Sequence, residues 1–171
     1  MVRVGGPVDR CTVSLRLFSD DLDPAAISAL LHAQPTMSHR KGDVLRSKRG
    51  DRVCKRGRWI LRCEGDPGAT LAELIDQLLD QLTPELAAWS SLSARCDMDL
   101  FCGLFLEEEN RGLTLPASTL QRLAERGLAL GLDIYTTPED DRADAECAEC
   151  VTEPSSHPSA NESGSGPTSE P

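Results

Sequence analysis

No run in this 171-residue chain is apolar enough to span a bilayer, and its start, MVRVGGPVDR, has no apolar core of the length a secretion signal needs. These absences exclude a helical membrane protein and leave the cytoplasm as the expected location. The familiar catalytic signatures are missing too: there is no H-E-x-x-H, no G-x-S-x-G and no glycine-rich phosphate loop. His32 and His39 have no matching Ser or Cys nucleophile motif. Asp97 and Asp99 project from one face of a strand and could begin an oxygen-ligand metal site, but spacing places no third ligand. We therefore expect no enzyme, no cofactor and no metal.

Seven cysteines are an odd number, and they are scattered through core-like positions. Cys11, Cys63 and Cys102 each fall in phase with apolar neighbours, as small buried hydrophobes do in a reducing compartment. Cys147 and Cys150 have redox or zinc spacing, yet zinc needs two more ligands and His157 is one nearby candidate.

What the chain has in quantity is charge, unevenly placed. The formal net charge is −10, but from His39 to Arg62 ten basic residues face only Asp43 and Asp51, a local +8. The remainder carries 8 basic and 26 acidic residues, or −18. A bipolar chain of this kind presents a patch that attracts anions. The candidate anion- or partner-binding residues are Arg40, Lys41, Arg46, Lys48 and Arg49, followed by Arg52, Lys55, Arg56, Arg58 and Arg62. The plain alternative is a solvated loop, partly neutralised by the chain's own acids.

Periodicity divides the chain into elements. Cys11, Val13, Leu15 and Leu17 alternate with Thr12, Ser14, Arg16 and Phe18, the pattern of a half-buried strand. Asp23 and Pro24 are placed as N-cap and first residue of a short helix with Ile27, Leu30 and Leu31 inward, closed by Pro35. A charged loop follows, with a short strand at Val44–Leu45. Trp59, Leu61 and Cys63 then mark a second strand, with Arg58 and Arg62 facing the other way. Thr70 and Glu73 form a capping box for the clearest helix, whose apolar face runs from Leu71 to Leu82. Thr83-Pro84 restarts a helical stretch with Leu86 and Trp89. Residues 96–106 alternate again, Pro116 opens a helix with Leu120, Leu123 and Ala124 inward, Gly131 is placed as its stop, and Leu132–Tyr135 is the last strand.

This order predicts an α+β fold: a ferredoxin-like βαβ–(α)–βαβ sandwich, with a mostly antiparallel four-stranded sheet and its helices on one face. Residues 1–10 are expected to be a flexible N-terminus and 11–135 one domain. Residues 136–171 hold nine acidic side chains, one arginine and no aromatic, too little apolar surface to offset ordering entropy, so a disordered acidic tail is expected. Phe18, Ile60, Phe101 and Phe105 should lie on the face opposite the helices. They are the candidate interface, covered by Leu86 and Trp89 of the inserted helices or by a second subunit.

Asp23-Pro24, Ile27, Leu30-Leu31, Pro35, Lys41-Gly42-Asp43 and Gly57-x-Trp59 follow one another in an order that resembles a bacterial family, domain of unknown function 4279. Leu78-Leu79-x-x-Leu82 and Leu132-Asp133-Ile134-Tyr135 are similar to that family as well, so the resemblance covers about residues 11–135. It implies a small α/β domain with no activity or catalytic residue to carry over, and gives Asp23, Pro24, Trp59 and Tyr135 structural roles. The acidic tail and the heavily basic loop depart from the family's pattern. The expected function is a non-catalytic protein-interaction module, immunity- or accessory-like, with a protein partner or self-association. Nucleic-acid or anion binding through the basic segment 40–62 is the alternative, and an enzyme holding an anionic small molecule with Lys41, Arg56 and Arg58 is a third.

Overall fold

The computed structural model describes residues 6–48, 50–66, 68–107 and 110–136. The elements run β1 (Gly6–Pro7), β2 (Arg10–Ser19), α1 (Pro24–Leu31), β3 (Met37–His39), β4 (Val44–Leu45), β5 (Arg52–Val53), β6 (Gly57–Glu64), α2 (Leu71–Asp80), α3 (Leu86–Ser93), β7 (Asp97–Leu106), β8 (Arg111–Gly112), α4 (Ala117–Glu125) and β9 (Ala129–Thr136). The main sheet has five strands in the order β3-β6-β2-β7-β9. Its first three pairings are antiparallel, and β7 with β9 is parallel.

The sheet is therefore mixed and five-stranded, not the expected mostly antiparallel sheet of four. One omission, β3, accounts for the fifth strand, and the parallel pairing of β9 with β7 makes the sheet mixed. β3 is three residues long and carries Ser38 and His39, so it has too little apolar alternation to announce itself. It lies parallel to β2 with β6 between them, which makes β2–α1–β3 a split crossover. By the same logic β6 and β7 are parallel with β2 between them, and α2 and α3 form their connection. The two interlocking units thus use β2, β3, β6 and β7, and α4 with β9 is an added strand at the far edge.

Leu15 pairs with Leu61 on one side and Leu100 on the other, so the inward residues of three strands form one continuous layer. Val13, Leu15, Leu17, Trp59 and Leu100 are fully buried in it. All four helices contribute to that same core, through Ile27 and Leu31, the α2 face, Trp89 with Leu92, and Leu123. Trp59 keeps its indole N–H satisfied by donating to Ser28 Oγ at 3.0 Å, and Trp89 donates to the Thr83 carbonyl at 3.0 Å. Both tryptophans can be buried because each polar atom has found a partner.

Helix α2 follows its sequence signature. The Glu73 amide donates to Thr70 Oγ1 and the Thr70 amide donates back to the Glu73 carboxylate. Helix α4 departs from expectation: Leu120 is 46% exposed, Ala124 is exposed, and Thr119 is buried instead. Polar bonds compensate, with Thr119 donating to Asp76 and Arg122 bridging Asp76 and Asp80 of α2 at 2.6 Å each. The turn after α4 is Gly127, at φ +66°, where glycine alone is unstrained; Gly131 lies inside β9.

Residues before position 11 also take part in strand pairing. β1 pairs with β8, and Asp9 accepts from the Arg111 guanidinium and the Glu107 amide. Thr136 closes β9, and the remainder of the expected tail, with Cys147, Cys150 and His157, lies outside the described residues.

Two tests follow from this packing. Leu78→Ala, which empties a fully buried site, should destabilise the protein by about 2–5 kcal/mol, and Thr70→Ala by about 0.5–2 kcal/mol, in urea denaturation. The Arg111 guanidinium and the Glu107 amide hold the Asp9 carboxyl down at about 2 against an ordinary 3.8. A depressed carboxylate contributes stability above its unfolded value and loses it as pH falls toward the folded one. Asp9→Asn should therefore flatten the acid limb between pH 3.8 and about 2; parallel stability–pH curves for the two proteins would contradict this.

Candidate functional site

Because the inward positions of β2 are odd-numbered, its even-numbered residues must all lie on the other side of the sheet. The register carries that face across every strand: Phe18 beside Arg58 and Asp97, Arg16 beside Ile60 and Asp99, Ser14 beside Phe101. The outer strands extend it with Met37 and His39 of β3 and with Gly131, Asp133 and Tyr135 of β9. No helix of the described residues covers it. Trp89 is buried in the core on the opposite side and Leu86 is 46% exposed, so the inserted helices are not the cover expected for Phe18, Ile60, Phe101 and Phe105.

Arginine side chains lie over the rings instead. Arg16 donates to both Asp99 carboxylate oxygens, at 2.7 and 2.6 Å, and its guanidinium sits 4.1 Å from the centre of the Phe101 ring. The bond to Asp99 pushes the Arg16 guanidinium's pKa further up. Arg10 lies 3.6 Å over Phe105, whose ring stacks on Tyr135 at 4.9 Å with 12° between planes. With β7 between β2 and β9, Arg10 takes one face of Phe105 and Tyr135 takes the other. Tyr135 is thus a half-exposed part of this surface. Each such cation–ring contact is worth roughly 0.5–1 kcal/mol at exposed sites. Gly103 keeps the floor flat, since a Cβ there would meet Thr12 Oγ1 at 2.8 Å.

The basic segment forms the rim at one end of the face, and the structure sorts its residues into groups. Arg40 pairs with Asp23, Lys41 with Asp20, Arg56 with Asp97 and Asp20, and Arg62 with Glu64. The carboxyls of Asp20 and Asp23 are held below their usual range by Lys41 and Arg40 respectively. Asp23 has a double duty, since it also caps α1 by accepting from the Ala25 amide. Among the described residues Arg46, Lys48, Arg52 and Lys55 make no ion pair, and Arg58 lies 5.3 Å over Phe18. Arg49 lies outside the described residues.

Hairpin β4–β5 folds this segment back on itself through mutual backbone bonds, Gly42 donating to the Cys54 carbonyl and Cys54 to that of Asp43. Between the hairpin and the sheet lies a recess of about 630 Å³. Arg52, Lys55, Arg56 and Arg58 line it with Phe18 and Val53, and among the described residues no carboxylate is in its wall. His39 lines it too, 8% exposed, with a buried Nδ1 that has no hydrogen-bond partner among the described residues. His39 and Arg10 were not singled out as site residues in the sequence. The signal for Arg10 was available, as the alternation of β2 extends one residue further back.

The remaining chemistry is sparse. Asp97 and Asp99 are each engaged by an arginine, and no group of three His, Cys, Asp or Glu among the described residues is placed to hold a metal. Cys102 is pushed up to about 12 by burial, and burial also raises Cys11, Cys63 and Cys96, so none of these is primed as a thiolate.

Compared with known proteins, the chain has no match among curated proteins and none among solved structures. The family described as Domain of unknown function (DUF4279) matches residues 9–137, a span that takes in the whole sheet and all four helices. The chain belongs to that family.

Proposed function

We propose that this domain is a non-catalytic interaction module whose working surface is the helix-free face of the sheet, and that its occupant is another protein or a second copy of the chain. The observation that supports this is the composition of that face. Phe18, Ile60, Phe101, Phe105 and Tyr135 stand together there, with Met37 52% exposed at the edge. Large apolar surface left on one side of a sheet ordinarily marks an interface. Aromatic side chains mixed with arginine are what interface centres favour. We read the core as ferredoxin-like, with α4 and β9 appended, a frame that leaves one sheet face free for recognition.

Nucleic-acid binding by this face has less behind it. Bases stack on open rings, whereas Phe101 and Phe105 already carry Arg16 and Arg10. Four of the cations in the basic segment are matched by carboxylates, which weakens the field a phosphate backbone would meet.

Analytical ultracentrifugation and affinity capture with the full chain test the proposal. The wild type should self-associate or retain one stoichiometric protein, and Ile60→Asp with Phe101→Asp should weaken that association by at least about tenfold. Circular dichroism should show the double variant folded. A wild type that is strictly monomeric and recovers no stoichiometric partner, or a folded double variant that associates as well as wild type, contradicts the proposal.

A further inference from the structure

We infer that the recess between hairpin β4–β5 and the sheet is a binding site for a small phosphorylated ligand with a flat apolar body, of about the size of a nucleoside monophosphate. The inference does not depend on the open face engaging a protein. It begins from charge. Among the described residues the wall contains four cations and no carboxylate, and of the four only Arg56 has an ion pair, with Asp97 at 2.8 Å and Asp20 at 3.6 Å. Arg52, Lys55 and Arg58 are left facing a concave volume without a counter-charge. Guanidinium groups with a lysine beside them suit the several oxygens of a phosphate monoester better than a single carboxylate.

The apolar part of the wall selects the rest of the ligand. Phe18 and Val53 lie beside the cations, and the Arg58 guanidinium, 5.3 Å from the Phe18 ring centre, offers a second flat group. A ring can be accommodated against these surfaces while its phosphate reaches Arg52 and Lys55. The volume, about 630 Å³, falls within the roughly 300–1,000 Å³ of small-molecule sites.

His39 closes the wall on the side of the sheet. The residue is nine-tenths buried, and its Nδ1, which has no hydrogen-bond partner among the described residues, is sealed from solvent. The site is also held in place. Hairpin β4–β5 is tied by the Gly42–Cys54 and Cys54–Asp43 backbone bonds, and Arg56 is anchored to two carboxylates, so the backbone that carries Arg52, Lys55 and Arg56 is set before any ligand arrives.

Titration calorimetry on the full chain at low salt, with adenosine 5′-monophosphate as the probe, is the test. Binding is expected, and adenosine or inorganic phosphate alone should each bind at least about tenfold more weakly, because each lacks one half of the recognised structure. Arg52→Gln with Lys55→Gln should lose about tenfold or more, whereas Arg46→Gln with Lys48→Gln, which lie outside the recess wall, should change little. In proton–nitrogen spectra the His39 ring signals should shift on addition of the nucleotide. No detectable binding overturns the inference. So does an equal loss in the Arg46/Lys48 pair, which would mean diffuse electrostatics. A single-stranded oligonucleotide binding at least about tenfold more tightly than the monophosphate would assign the cations to nucleic acid and overturn it as well.

Discussion

The alternation of β2, paired on both sides, is the constraint on which the rest of the molecule depends. Val13, Leu15 and Leu17 are fully buried, and they pair with inward residues of β6 and β7. A strand's side chains alternate strictly, so committing these residues to the core commits Thr12, Ser14, Arg16 and Phe18 to the opposite face. All four helices are then drawn to the side where the apolar residues are. The other face has to be stable in contact with water, and it is composed accordingly. Arg16 is spent on Asp99 and Phe101 together, Arg10 on Phe105, and Arg58 on Phe18. The surface proposed to bind is a consequence of how the core is built.

Charge shows the same economy. A run of ten cations in the sequence suggests a broad positive surface. Folding instead brings Asp20, Asp23 and Asp97 up against Arg40, Lys41 and Arg56. What survives as uncompensated charge is concentrated in and beside the hairpin, where Arg52, Lys55 and Arg58 line one recess. Long-range attraction is reduced, while a local concave site gains cations that nothing within its wall neutralises.

Much of the fold was legible because several features agree. In α2 the capping box, the leucine spacing and the flanking turns all point to one helix, and each is found. The division of β2, β6 and β7 into two faces was equally readable, since period-two patterns survive whatever the sheet order proves to be. The strands without a pattern were lost. β3 has three residues and β1 and β8 two each, and they exist because partner strands supply hydrogen bonds, not because of their own composition. Missing β3 moved the second strand of the first crossover onto β6, and the sheet order followed that error. Leu120 misled for a related reason: α4 is held to α2 by Arg122 and Thr119, so its buried stripe is not the one hydrophobicity marks. Of the site, the residue types were legible, but their pairing was not, since the carboxylates that quench Arg40, Lys41 and Arg56 lie 17 to 41 positions away in sequence.

The central claim is that one face of the sheet is closed by helices and the other is open in the isolated chain. Hydroxyl-radical footprinting with mass-spectrometric readout measures this directly. Met37, Phe18, Phe101 and Tyr135 should be oxidised readily in the free protein, while Trp59 and Trp89, intrinsically more reactive than phenylalanine but fully buried, are spared until the protein unfolds. Protection of the open-face residues as complete as that of Trp59, at dilutions where the chain is monomeric, would show that the chain itself covers that face and would contradict the account.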